Sequence, residues 1–178
     1  MKRRAILYVA DCEEKRFDGY YFRKQLPFVP DLPLDSEADD ARARRRAEYS
    51  LSDAFLLRLM MDFVDDGGVE IDAAKYSAGN AIRHLHRASE RLNADQDIWL
   101  AFLQNRPGEL DFAPRALCAG SLDEIPGLIR EKSDPSDPPR VVLVNASAAS
   151  RFVVNRADEF GITRNSENRP VWLIEETY

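Results

Sequence analysis

From about residue 115 to residue 174 the chain alternates short apolar runs with helix-forming stretches, and this rhythm constrains the fold more than any other feature. Ala116-Leu117-Cys118-Ala119 reads as a short strand, and Gly120-Ser121 opens a short helix through Ile129. Val141-Val142-Leu143-Val144 reads as a buried strand. A helix follows from about Ser147 to Phe160, with Phe152, Val153, Ala157 and Phe160 inward and Gly161 as its C-terminal cap. Val171-Trp172-Leu173-Ile174 completes the series as a last strand. Strand, helix, strand, helix, strand predicts right-handed crossovers and a mostly parallel, Rossmann-like sheet with helices on both faces.

Upstream, Ala5 to Ala10 is nearly all apolar and reads as the first strand of the same sheet. Tyr20-Tyr21-Phe22, after the turn signal Asp18-Gly19, reads as a shorter second strand. Pro27, Pro30 and Pro33, followed by Asp35, Glu37, Asp39 and Asp40, mark residues 26–40 as a loop or arm. Residues 41–66 read as helix with a break near Tyr49-Ser50, where Ser50 and Asp53 have capping-box spacing. Phe55, Leu56, Leu57, Leu59, Met60, Met61, Phe63 and Val64 cover most of its circumference, so it is expected to be buried on several sides, with Gly67-Gly68 as its stop. A further helix is expected over residues 73–92, and Ile98 to Leu103 as a strand. The helical segment 41–92 thus reads as an insertion after the first strand. The whole chain of 178 residues is expected to be a single α/β domain with a sheet of roughly four to six strands.

Charge bounds the partners. The formal net charge of −6 disfavours nonspecific binding to nucleic acid or an anionic membrane. No apolar stretch approaches the roughly 20 residues that span a bilayer. The basic start, Lys2-Arg3-Arg4, is followed by too short an apolar run for a signal peptide. Cys12 and Cys118 do not make a disulfide framework and read as reduced core residues. These features predict a cytoplasmic protein.

Four groups of residues are candidates for chemistry. Asp11, Glu13 and Glu14 directly follow the expected first strand, where open α/β sheets bind ligands and where hard carboxylate oxygens suit Mg²⁺. An acid in that place resembles PIN- and NYN-type nucleases, which would imply a metal-dependent phosphodiesterase. Residues 141–152 have their strand-then-helix shape but lack the aspartates those families carry there. Ser121, Asn145 and Ser147 sit at strand-to-helix turns, where backbone N–H groups favour anions and where serine is also the ordinary N-cap. Arg83-His84-Leu85-His86-Arg87 holds both histidines and could form a phosphate-binding or pH-sensitive face. On a helix the two histidines point about 200° apart and cannot share a metal. Arg42, Arg44, Arg45 and Arg46 could contact nucleic acid, but the acids upstream favour a salt-linked helix face.

The chain carries no GxGxxG, Walker, HExxH, GxSxG or CxxC motif. Together with the acidic balance and the Pro- and Asp-rich segment, this favours a non-catalytic protein-binding module without cofactor. The rival expectation is an enzyme or nucleotide-binding protein, with Asp11, Ser121, Asn145 and Ser147 around one crevice.

Overall fold

A computed structural model describes residues 1–32, 47–104, 116–133, 139–162 and 169–174. Seven helices and three strands are found among them: α1 (Arg3–Ala10), α2 (Glu14–Phe22), α3 (Leu51–Asp65), α4 (Ile71–Gly79), α5 (Ala81–Ser89), β1 (Trp99–Gln104), β2 (Ala116–Gly120), α6 (Ile125–Lys132), β3 (Arg140–Asn145) and α7 (Ala146–Glu159), with a 3₁₀ turn at Val171–Leu173. The chain forms two compact units, Met1–Arg58 with Ala149–Tyr178, and Leu59–Ala148.

The sheet lies in the second unit and is antiparallel, not a parallel Rossmann-like sheet. Its order is β2-β1-β3, with β1 antiparallel to both neighbours. β2 and β3 therefore run the same way, as the β–α–β rhythm predicts, but β1 lies between them. The four middle residues of β1 are buried. A central antiparallel strand covered on both faces reads like a parallel one, because alternation disappears when neither face meets water.

One sheet face presents Ala101, Leu103 and Cys118, packed with Ile125, Leu128 and Ile129 of α6. The other includes Phe102, whose ring meets Phe63 edge-on at 6.2 Å between centroids. Gly67, just past α3, lies so close to β3 that a Cβ there would stand 2.4 Å from Val142 Cγ1 and 2.6 Å from the Phe63 carbonyl oxygen. Gly68, at φ +59°, supplies the left-handed residue that ends the helix. Asn80 separates α4 from α5, where one helix was expected over 73–92. Its side-chain amide donates to the Tyr76 carbonyl at 2.8 Å, a local bond that competes with helix continuation.

The first unit corrects three expected strands. Residues 5–10 lie in α1: Ala5, Ile6, Val9 and Ala10 are buried while Arg4 and Tyr8 are exposed. That spacing of four belongs to a helix and not to the period of two of a strand. Tyr20-Tyr21-Phe22 ends α2, with Phe17 and Tyr20 on its buried side. Val171–Leu173 is a 3₁₀ turn after Pro170. The buried Ser150 hydroxyl accepts from Val171 N–H at 2.8 Å, and Trp172 packs on Phe55 at 5.5 Å. The helices α3, α4 and α5 thus precede the whole sheet and are not an insertion after its first strand.

Other local readings hold. Ser50 and Asp53 form a reciprocal capping box at 2.8 and 2.9 Å. In α3 only Asp65 is exposed. Residues 26–32 have no helix or strand beyond the Asp31–Glu48 bridge. Residues 33–40 lie outside the described residues.

The two glycines Gly67 and Gly127 are expected to respond oppositely to alanine. Gly67→Ala should cost about 1–3 kcal/mol through overpacking. Gly127→Ala, in α6 with open space around the new methyl, should gain about 0.5–1 kcal/mol from helix propensity. Urea unfolding of the two variants checks the pair, and a neutral Gly67→Ala would refute the tight approach of α3 to β3.

Candidate functional site

At one end of the sheet the register pairs Trp99 with both Gly120 and Asn145. The carboxyl ends of β2 and β3 therefore meet there, and Ser121, Asn145 and Ser147 are brought to the same end, as the sequence suggests. Their polar groups are engaged by the fold. Ser121 Oγ accepts from Glu124 N–H at 3.3 Å, and the Glu124 carboxylate accepts from Ser121 N–H at 3.4 Å. Asn145 Oδ1 accepts from Ala148 N–H at 2.9 Å, which caps α7, while its Nδ2 donates to Asp97 at 2.9 Å. Ser147 Oγ accepts from Ile98 N–H at 2.9 Å and fixes the entry to β1. Glu124 and Asp97 also bring negative charge to the two helix starts, where an anion would otherwise be favoured.

Asp11, Glu13 and Glu14 stand at a helix-to-helix turn. No strand precedes them, so the strand-end geometry behind the Mg²⁺ and nuclease-like expectation is absent. Asp11 is the left-handed C-cap of α1, at φ 58°. Its carboxylate lies 3.4 Å from Arg156 and 4.0 Å from Arg58. Arg156 also donates to the Tyr8 carbonyl at 2.7 Å and lies over the Tyr8 ring at 4.3 Å, so it ties α1 to α7. Glu13 is the N-cap residue of α2, and Glu14 pairs with Arg3 at 3.2 Å. Among the described residues, no group of three or more His, Cys, Asp or Glu is placed to hold a metal. Arg42, Arg44, Arg45 and Arg46 lie outside the described residues.

The segment Arg83 to Arg87 forms most of α5 and holds the strongest candidate. Ala81, Leu85 and Ala88 are its buried face. His84 is half-buried on one flank, and His86 is exposed, as helical geometry requires. Near the end of α5, Arg91 lies 3.5 Å from Glu124, at the start of α6. Near its beginning, His84 feels the charge of Lys132, at the end of α6. The end of α5 is thus close to the start of α6, and Arg83, Lys132 and Arg87 are the cations whose charge reaches His84. Burial, then the charges of Arg83, Lys132 and Arg87, holds the His84 imidazole below its ordinary value of 6.5. Burial raises the Cys118 thiol, and Lys132 opposes that shift.

Arg83, Arg87 and Lys132 have no carboxylate partner among the described residues. By contrast, Arg3, Arg58, Arg91 and Arg156 each have one. The first turn of α5 contains no acid, so Arg83 there opposes the helix dipole. Lys132 is the member that sequence reasoning missed. The sequence reading ends that helix, α6, at Ile129, three residues before its observed end.

Comparison with known proteins finds no matching family model and no similar curated protein.

Two outcomes follow for the free protein. Arg83→Glu should raise stability by about 0.3–1 kcal/mol at low salt, because an acid suits a helix start. Stability should also fall with acid through His84. Its depressed folded value means that the unfolded chain binds the proton first, so stability is full above pH 6.5 and is lost as pH falls toward the folded value. In denaturant titrations at several pH values, His84→Gln should lose that part of the dependence. An unchanged profile would deny His84 its cationic surroundings.

Proposed function

We propose that the protein is a non-catalytic cytoplasmic protein-binding module, of the adaptor, inhibitor or immunity-partner type, that engages an anionic partner through the α5–α6 face. The observation that carries this reading is the pair of exposed cations Arg83 and Arg87, one turn apart on α5 and without a carboxylate within salt-bridge distance among the described residues, in a chain of net charge −6. Neighbouring cations on one helix face repel one another, and a partner of opposite charge removes that cost while steering association. The cytoplasmic setting is supported by Cys12 and Cys118, both buried and free. Among the described residues no helix is long and apolar enough to cross a membrane. The rival enzymatic reading loses its premise at Asp11, which caps a helix instead of ending a strand.

The test is affinity purification from the native host, comparing the wild-type chain with the double variant R83E/R87E. A stoichiometric protein is expected with the wild type, weakened by salt and lost from the variant, while thermal melts show both chains folded. Equal recovery by the two chains would sink the assignment to this face. Recovery of only a nucleotide or metal would favour the enzymatic alternative.

A further inference from the structure

We propose that the outer edge of β3 pairs with the same edge of a second copy of this chain, antiparallel about a two-fold axis, so that two three-stranded sheets join into one of six strands. The inference concerns a different surface from the α5–α6 face and stands independently of it.

The two edges of the sheet are not alike. The order β2-β1-β3 leaves β2 and β3 with one neighbour each. At β2 the edge is obstructed. Helices α5 and α6 both lie against it. Arg91 donates to the Ala119 carbonyl at 3.4 Å, and a Cβ at Gly120 would stand 2.7 Å from the Glu124 carboxylate and 3.1 Å from Leu128 Cδ1. Among the described residues β3 pairs with β1 alone, from Arg140 to Asn145 in unbroken register. The backbone of Val141, Val142, Leu143 and Val144 has no other hydrogen bond there. In an antiparallel ladder alternate residues turn their N–H and C=O groups to opposite sides, so about half of those groups point away from β1. Edge strands ordinarily resist new pairing with a lysine, a proline, a bulge or a covering element. Val141 to Val144 holds none of the first three, and α5 and α6 lie at the opposite edge. Leu143 stands across from Ala101, on the sheet face that α6 covers, yet it is 41% exposed.

A second copy fits this edge for two reasons. Cross-strand neighbours share a face of the sheet. A two-fold axis normal to the sheet at Leu143 sets that residue opposite its own copy, with Val142 opposite Val144 of the second copy. The exposed apolar side chain of each chain then covers the other, and only apolar side chains meet at the centre. The same axis brings the Arg140 end of one strand beside the Asn145 end of the other. There the Asn145 amide holds the Asp97 carboxylate at 2.9 Å. Opposite charges therefore approach at both ends of the contact, while the two arginines stand at its far ends, roughly 20 Å apart. The strand brings no acid of its own. The net charge of −6 thus opposes association only at long range, where salt screens it.

One strand pair is a small interface, so the dimer is expected to be weak, with Kd on the order of 100 µM. Sedimentation velocity of the full chain, from about 5 µM to about 500 µM, should show a reversible monomer–dimer equilibrium. L143K places like charges opposite each other at the axis and should weaken the dimer at least about tenfold. R140E sets acid beside acid at both ends and should weaken it about threefold or more. Leu143 is exposed, so L143K is expected to melt with the wild type at low concentration, which separates lost pairing from lost folding. Amide exchange in residues 141–145 of the wild type should slow as concentration rises, while exchange in β2 stays constant. A chain that remains monomeric at the highest concentration overturns the proposal, as does a dimer that both variants retain. Protection of β3 only on addition of a different protein would give the edge to a foreign strand and remove the second copy.

Discussion

The antiparallel pairing of β1 with both of its neighbours governs the second unit. Trp99 stands opposite Gly120 on one side and Asn145 on the other, so the two outer strands must end together. Ser121 and Asn145 then cap α6 and α7 from the same sheet end. Helix α6 starts there, packs Leu128 and Ile129 on the sheet and ends at Lys132.

Local signals in the chain were legible because they depend on neighbours a few residues away. The capping boxes at Ser50 and Ser121, the glycine stop after α3 and the runs that became β1, β2 and β3 need no knowledge of distant packing. Strand direction was not legible in the same way. A β–α–β rhythm states that β2 and β3 run the same way but not what lies between them, and β1 precedes both in sequence. Ala5 to Ala10 failed for another reason: six apolar residues suit either a buried strand or a helix, and only the exposure of Arg4 and Tyr8 decides between them.

The candidate site divides along the same line. Ser121, Asn145 and Ser147 were found because strand-to-helix turns are visible in sequence, and their roles proved to be caps and anchors. Asp11 was visible as an acid after an apolar run, but its partners Arg58 and Arg156 lie far along the chain. Arg83, His84 and Arg87 were visible as a segment. What distinguishes them is that, among the described residues, Arg91, Arg58 and Arg156 have carboxylate partners and Arg83 and Arg87 have none. That property belongs to the assembled surface.

The first unit is discontinuous: Met1–Arg58 is completed by Ala149–Tyr178, with about 90 residues between. A ribosome adds about 5–20 residues per second. The N-terminal segment therefore emerges roughly 5–20 s before its complement begins to follow. Throughout that interval α1 lacks Arg156, and the ring of Phe55 has no Trp172 to pack on. The second unit is one unbroken stretch and suffers no such delay. The interior stretch is therefore synthesised whole before the complement of the N-terminal segment exists.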